Sequence, residues 1–132
     1  MHDLGHWTTT QIFPELPFGF VYLITNTVSN KKYIGKKLMI TTLKRKPLKG
    51  KTKKRHEKIE TDWKIYTSSS NELNSDIKNI GKDKFKFEIL KFCSSKSALA
   101  YYEAKEQFDR EVLLKEDYYN GIINLRIGKI KL

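Results

Sequence analysis

Runs of apolar residues divide the chain into a few short predicted strands. A continuous β-rich run covers residues 19–25, a polar turn follows at 27–30, and a second short run covers 32–35. Two such runs around a short polar segment predict a β-hairpin. Over residues 84–92 apolar side chains alternate with charged ones, the period of a strand with one buried face, so we predict a third strand there.

Two later segments carry the three-to-four-residue spacing of an amphipathic helix. The apolar positions of the first are Leu73, Ile77 and Ile80. Ser69 and Glu72 predict a capping box at its start, and Gly81 predicts its end. The second helix is predicted over about 97–114, capped by one of the serines that precede it. Its predicted apolar stripe consists of Tyr101, Ala104, Phe108 and Val112.

The order of these elements defines the predicted architecture. Two strands, a basic loop, a helix, a third strand, a second helix and a tail predict an α/β fold. Its small three-stranded sheet is mainly antiparallel and flanked by helices. Residues 1–17 contain Pro14 and Pro17 and little periodicity, which predicts an irregular N-terminal arm. Residues 18–132 then form a single domain with a basic insertion at about 36–58.

The positive charge of the chain is concentrated in that insertion. The 132 residues carry a formal net charge of +11, from 26 Lys and Arg against 15 Asp and Glu. Residues 36–58 alone hold 11 of the basic residues and a single acid, Glu57, so the rest of the chain is nearly neutral. Residues 44–55 have few apolar side chains and contain both Pro and Gly. We therefore expect an exposed, mobile loop.

So dense a cluster of like charges favours contact with a polyanion, because the cations repel one another unless an anion screens them. Lysine predominates over arginine, which favours contact with the phosphate backbone over reading of the bases. A solvated loop that only improves solubility is the alternative. The residues predicted to bind nucleic acid are Lys44, Arg45, Lys46, Lys49, Lys51, Lys53, Lys54 and Arg55.

Composition excludes several other classes of protein. No apolar run approaches the roughly 18 residues that a membrane span requires, and the N-terminus lacks the basic and apolar blocks of a secretory signal. A single cysteine, Cys93, excludes an internal disulfide and a cysteine-rich zinc module. We therefore expect a small protein of a reducing compartment, the cytoplasm, without membrane contact.

The predicted hairpin carries two tyrosines eleven residues apart, Tyr22 and Tyr33, and Gly35 follows the second by two positions. The first motif reads Phe20-Val21-Tyr22 and the second reads Tyr33-Ile34-Gly35. This pair resembles the two motifs of the GIY-YIG nuclease family. The residues between the two motifs resemble the phage homing-endonuclease branch of that family.

Three further features follow in the order that this family shows. Residues 85–90 match its third strand, Glu103 lies in the second helix where the family has an acid, and Tyr119-Asn120 matches a late Tyr-Asn pair. The resemblance covers about residues 19–124, most of the chain. It implies the GIY-YIG fold for the predicted domain.

The resemblance also implies a reaction and a set of roles. The family uses one divalent metal, Mg²⁺ or Mn²⁺, to hydrolyse a phosphodiester bond of DNA. Glu103 would be the metal ligand, and Tyr22 and Tyr33 would be the hydroxyl pair at the scissile phosphate. Lys36 would hold the phosphate, and Asn120 would support the metal or the product phosphate.

Elementary chemistry sets a condition on this mechanism. Hydrolysis needs an activated water and neutralisation of the charge that develops on the phosphate, which one metal on a carboxylate and one or two cations can supply. A tyrosine has a pKa near 10 in water and is a poor base at pH 7. A cationic pocket that lowers the pKa of the tyrosine is therefore expected.

The sequence departs from the family pattern in three places. Phe20 occupies the position of the first glycine. The arginine expected about ten residues after the second tyrosine falls in the basic insertion, where Arg45 and Arg55 are both candidates. The histidine or tyrosine that the family places before its second helix is assigned to Tyr66, with His56 or neither residue as the alternatives.

Each of these residues also has a purely structural interpretation. Tyr22 and Tyr33 could be aromatic side chains packed on a sheet, and Glu103 could be an exposed helix acid. Glu103 lies off the predicted apolar stripe, and its match to the acid of the family makes it the favoured metal ligand, with Glu106 as the alternative.

Three hypotheses about function follow. The first is a metal-dependent DNA endonuclease of phage or mobile-element type that acts on double-stranded DNA, with RNA as a possible partner, as a monomer or a homodimer. The second is a catalytically inactive module on the same fold that only binds DNA or RNA. The third, a small ribosome-associated basic protein, is disfavoured because its charge would be spread more widely.

Overall fold

The strands of the protein pair into two separate sheets. The computed structural model describes residues 2–130, so the first residue of the predicted arm and the last two of the predicted domain lie outside it. The elements in chain order are β1 (Thr8–Thr9), β2 (Gly19–Asn26), β3 (Lys32–Leu38), β4 (Ile40–Arg45), β5 (Arg55–Glu60), α1 (Asn71–Ile80), β6 (Phe85–Cys93) and α2 (Lys96–Asp109). Four strands form one sheet in the order β1-β6-β2-β3, in which β1 is parallel to β6 and the other neighbours are antiparallel. β4 and β5 form a separate antiparallel pair.

β2 lies at the centre of the larger sheet and is buried on both faces, which explains why its sequence is continuously apolar. Alternate residues of a strand point to opposite faces. The core on one face contains Phe20, Tyr22, Ile24, Trp63 and Leu73. The core on the other face contains Val21, Leu23, Ile34, Leu99 and Val112. The two predicted tyrosines therefore belong to the face that α1 covers.

The predicted α/β fold, hairpin and third strand are confirmed, but the sheet has a fourth strand, supplied by the segment predicted to be irregular. β1 pairs with the middle of β6. Trp7 next to it is 3% exposed in the first core, and its indole N–H donates to the carbonyl of Trp63. One large apolar side chain among polar neighbours gives no periodicity, so the pattern did not predict this strand.

α1 begins one residue later than the predicted capping box. The Ser70 hydroxyl accepts a hydrogen bond from the Leu73 amide at 3.3 Å, which is the N-cap bond. Glu72 instead forms an ion pair with Lys31 at 2.6 Å, so the predicted box of Ser69 and Glu72 is wrong. Gly81 ends the helix as predicted, with a φ of +112° that favours glycine.

α2 is shorter than predicted and presents a different face to the sheet. It begins after Ser95 and ends at Asp109, because Glu111 adopts a φ of +54° that reverses the chain. Tyr101 and Phe108 of the predicted stripe are exposed. The buried positions of the helix are Ala98, Leu99, Ala104 and Gln107. Glu103 lies four residues from both Leu99 and Gln107 and so shares the face that meets the sheet. Within residues 2–130, no helix is long and apolar enough to cross a membrane.

The basic insertion is a β-ribbon and not the mobile loop that its composition predicted. β4 and β5 pair in register from Ile40–Glu60 to Arg45–Arg55, and only residues 46–54 form the connecting loop. Both strands are exposed along almost their whole length. Thr41, Thr42 and Ile59 are β-branched, which favours strand pairing despite the charge. We call residues 40–60 the basic ribbon.

Candidate active site

Tyr22 and Tyr33 pack together over Gly35. Tyr22 lies directly opposite Gly35 in the pairing of β2 with β3, and the ring centroids of Tyr22 and Tyr33 are 6.2 Å apart. A side chain at Gly35 would overlap the Tyr22 hydroxyl and lie 2.9 Å from the Tyr33 ring. The glycine of the second motif therefore provides the space in which the two phenols meet.

A register shift in the neighbouring strand helps to aim Tyr22. Val21 pairs with Lys91 and Tyr22 with Ile89, so Leu90 is an extra residue in β6 at this step. Such bulges bend and twist a strand locally and often adjoin functional sites. The bulge also changes which β6 side chains face α1, from Phe87 and Ile89 before it to Phe92 after it.

A third tyrosine joins the pair. The ring centroid of Tyr66 lies 6.3 Å from that of Tyr22, and the Lys37 ammonium lies 4.1 Å from the Tyr66 ring centroid. The Ser69 side chain lies beside the Tyr33 and Tyr66 phenols, where it acts to lower the pKa of both. Sequence reasoning assigned Tyr66 to the site but missed Ser69, because a serine before a helix is ordinarily a cap.

Glu103 and Lys36 meet at the other side of β3. The Glu103 carboxylate lies 3.8 Å from the Lys36 ammonium, and the Glu103 side chain is 17% exposed. Lys36 alternates with Gly35 along β3 and so faces α2. Glu103 nevertheless raises the pKa of all three phenols, Tyr22, Tyr33 and Tyr66. The phenols lie on the α1 side of β3, and the ion pair of Lys36 and Glu103 lies on its α2 side.

The phenols are protonated at neutral pH. Burial is the main cause that raises the pKa of Tyr22 well above 10, and it also raises those of Tyr33 and Tyr66. The protein's own cations do not offset this effect of burial on the pKa of the phenols. Tyr22 is only 1% exposed and belongs to the core, whereas Tyr33 and Tyr66 are half-buried and reach solvent. Tyr33 and Tyr66 are the phenols that a substrate can touch.

A divalent metal fits the cluster only as a partly protein-bound ion. No group of three or more His, Cys, Asp or Glu side chains converges within the described residues, so Glu103 supplies the single carboxylate. Mg²⁺ is often held by one or two carboxylates with water and substrate phosphate completing its shell. Burial raises the pKa of Glu103, and the neighbouring Lys36 opposes that shift. A cation at the carboxylate would favour its ionised form further.

The other candidates lie elsewhere. Glu106 pairs with Arg110 at 3.0 Å on its own helix, whereas Glu103 pairs across to Lys36 of β3. Arg45 pairs with Glu57 at 2.8 Å on the ribbon. Arg55 donates to the Lys46 carbonyl. Both arginines and His56 belong to the ribbon of β4 and β5. These two strands make extensive contacts only with each other and not with the larger sheet.

Asn120 has a structural position that the sequence did not predict. Its amide accepts from the Ile34 N–H at 3.0 Å and donates to the Ile34 carbonyl at 2.8 Å. Gln107 donates to the same carbonyl at 3.1 Å. Asn120 thus replaces a strand neighbour for β3, immediately before Gly35. These bonds hold the β3 backbone in place, and the contact of Asn120 with metal or product phosphate stays a prediction.

The two tyrosines over a hairpin glycine and the glutamate on α2 are the residues through which the sequence resembles the GIY-YIG nucleases. The family model described as "Putative endonuclease segE, GIY-YIG domain" matches residues 6–123. The chain belongs to this GIY-YIG endonuclease family. The matched region includes β1 and so begins inside the predicted N-terminal arm. Neither a curated protein nor a solved structure gives a significant match.

Proposed function

We propose that this protein is a Mg²⁺- or Mn²⁺-dependent endonuclease that hydrolyses phosphodiester bonds of double-stranded DNA. Two contacts at neighbouring positions of β3 support the proposal: Tyr22 and Tyr33 pack together over Gly35, and the next residue, Lys36, lies 3.8 Å from the Glu103 carboxylate. Membership of an endonuclease family supports the same chemistry. Catalysis by this cluster depends on positioning and on electrostatic stabilisation of the phosphate in the transition state.

Each side chain has a role that its protonation state allows. The Lys36 ammonium, 43% exposed, neutralises charge on a non-bridging phosphate oxygen. Tyr33 and Tyr66, as neutral phenols, orient the attacking water through their hydroxyl groups. Tyr22, which is buried, acts as a positioning residue that holds Tyr33 over Gly35. Ser69 fixes the directions of the Tyr33 and Tyr66 hydroxyls.

Glu103 is the residue that would hold the metal. The metal would act as a Lewis acid on the phosphate and lower the pKa of a bound water. Glu103 is partly buried, and its neighbouring cation is 3.8 Å away, longer than a close hydrogen bond. The carboxylate therefore retains oxygen lone pairs for a second partner.

The basic ribbon is proposed to hold the DNA through one particular face. Directly opposed residues of an antiparallel pair lie on the same face. The register puts three residue pairs on one face of the ribbon. Ile40 and Glu60 lie at its base, where Glu60 is paired with Lys64. Thr42, Lys44, His56 and Lys58 form the rest of this face, which we call the cationic face. Leu43, Arg45, Arg55, Glu57 and Ile59 lie on the other. Glu57, the acid of the insertion, is thereby paired with Arg45 away from the cationic face. The major groove admits a two-stranded ribbon.

The predicted loop lysines extend this surface. Lys46, Lys49, Lys51, Lys53 and Lys54 are all exposed and are suited to phosphate contacts on either side of a groove. We propose the phage or mobile-element type for this nuclease, acting in the cytoplasm of a host cell. If each active site cuts one strand, cleavage of both strands would require a second copy of the chain.

Cleavage of supercoiled plasmid tests the proposal. Nicking is expected with Mg²⁺ or Mn²⁺ and not with EDTA, and Glu103→Gln should reduce the rate at least 100-fold because the metal ligand is lost. Glu106→Gln is the matched control on the same helix and should cut as the wild type does.

Tyr33→Phe provides a second arm, with Tyr119→Phe as its control. The Tyr119 hydroxyl donates to Asp76 and accepts from Asn26 in a structural network. Equal binding of DNA by wild type and Glu103→Gln without cleavage by either would favour the inactive binding module. Preferential cleavage of RNA would reassign the substrate.

A further inference from the structure

A cationic cavity adjoins the candidate site on the α2 side of β3. Its volume is about 440 Å³, and three of its lining residues are the basic side chains Lys36, Lys96 and Arg126. Ser97 and Asn124 also line it and can donate hydrogen bonds, and no acidic side chain takes part in the lining. Sequence analysis assigned no role to Lys96 or Arg126.

The three cations come from three different segments of the chain. Lys36 belongs to β3, Lys96 to the first turn of α2, and Arg126 to the C-terminal tail. Ile123 and Ile130 of the tail pack against the second core, which holds Arg126 over the cavity. The like charges are thus brought together by the fold and not by neighbouring positions in the sequence.

The charges of the cavity are largely uncompensated. Within residues 2–130, neither Lys96 nor Arg126 forms an ion pair, and Lys36 has Glu103 at 3.8 Å. Gathering three like charges in one concavity costs free energy unless an anion occupies it. The first turn of α2 contains no acid and adds further positive potential.

We propose that this cavity binds a backbone phosphate of the DNA strand being cut, next to the phosphate at Glu103. Lys36 belongs to both sites, because its ammonium lies near Glu103 and the residue also lines the cavity. The two phosphates would therefore be neighbours along the strand. Arginine forms two parallel bonds to phosphate, and lysine acts as a point charge. The subsite would set the register of the strand without reading its bases. This inference rests on the proposed function.

DNA binding in EDTA tests the subsite without cleavage. Anisotropy titrations of a fluorescent 24-base-pair duplex compare wild type with a Lys96→Gln/Arg126→Gln double variant over a range of salt concentrations. We expect affinity to fall about tenfold or more near 100 mM salt, and the slope of log K against log salt to decrease by about one phosphate contact. All these side chains are exposed, so the melting temperature should not change.

The matched control is a Lys115→Gln/Lys129→Gln double variant. It removes the same charge from exposed positions of the chain end, neither of which lines the cavity. It should keep the wild-type slope. An equal loss in both double variants would show a general effect of net charge and overturn the subsite, as would wild-type binding by the Lys96 and Arg126 variant.

The same three cations could also bind the terminal phosphate of a strand that has been cut. A second duplex with a nick that carries a 5′-phosphate separates the two sources. A diester subsite predicts an equal loss on the intact and nicked duplexes, whereas a loss confined to the nicked duplex overturns the diester assignment. Plasmid cleavage is scored separately: no cleavage with the binding result intact would remove the nuclease and leave the subsite.

Discussion

Gly35 lies directly opposite Tyr22, and the Tyr22 hydroxyl occupies the space that a side chain at Gly35 would fill. The relationship joins the two halves of the sequence motif physically. Glycine is required here for space and not for backbone conformation, because Gly35 does not have a positive φ. The Tyr33 ring lies next to the same space, so the missing side chain of Gly35 leaves room for both phenols.

Gly35→Ala is expected to destabilise the protein by about 2 kcal/mol, because the added methyl group must displace the Tyr22 ring within a close-packed core. Nicking activity should fall by more than the loss of folded protein explains, since Tyr33 moves with Tyr22. Urea unfolding and plasmid nicking measure the two effects. Gly128→Ala is the control, since nothing lies within 4 Å of its added carbon; wild-type stability in Gly35→Ala would contradict the packing argument.

The acidity of Glu103 predicts a pH-dependent cost in stability. Burial raises the pKa of Glu103 in the folded protein above its value of 4.5 in the unfolded chain. The protonated carboxyl is therefore tolerated fully below pH 4.5, and the folded state loses stability as the pH rises through the pKa of the folded protein. Glu103→Gln should therefore melt at a higher temperature than the wild type at pH 7 without divalent metal. The difference should vanish below about pH 4.5. A lower melting temperature at pH 7 would mean that attraction to Lys36 outweighs burial.

Asn120 is expected to act on β3 and not on the metal. Asn120→Ala leaves the buried Ile34 N–H without its partner and should cost about 2 kcal/mol in urea unfolding. Asn120→Asp separates the two roles. A carboxylate would keep or strengthen a metal contact, but against Ile34 it places an oxygen opposite the carbonyl that now receives a hydrogen bond. Stability should fall in Asn120→Asp as well, whereas wild-type stability with tighter metal dependence would restore the catalytic assignment.

Adjacent threonines of β4 test the cationic face. Thr42 lies opposite Lys58 on that face, and Thr41 lies opposite Ile59 on the other. Thr42→Glu should weaken binding to duplex DNA about tenfold or more and reduce its salt dependence, because the new carboxylate repels phosphate and pairs with Lys58. Thr41→Glu introduces the same charge one residue away and should bind nearly as the wild type does. Anisotropy measures both; equal weakening would mean that the ribbon has no preferred face.

The contact between the N-terminal segment and the sheet shows one limit of prediction from pattern. The hairpin, β6 and the Gly81 helix end follow from local spacing, and each was predicted within one to three residues. β1 and Trp7 were not, because their pairing with Glu88 and Ile89 joins residues about eighty positions apart. The ribbon was missed for another reason: lysine-rich composition obscured the β-branched positions that pair across it.

The sequence alone determined the hairpin with its two tyrosines, the glutamate on the second helix, the charge of the insertion, and through them the family. These features depend on residue type and spacing, which can be read from the sequence without knowing which distant residues are in contact. Only the tertiary structure decided that Tyr66 rather than His56 packs beside Tyr22 and that Ser69 lies near these phenols. It alone also showed that Asn120 supports Ile34 and that Lys96 and Arg126 share a cavity with Lys36. Each of those neighbourhoods depends on where separate segments pack against one sheet, and burial and electrostatic interaction act between positions that no local pattern connects.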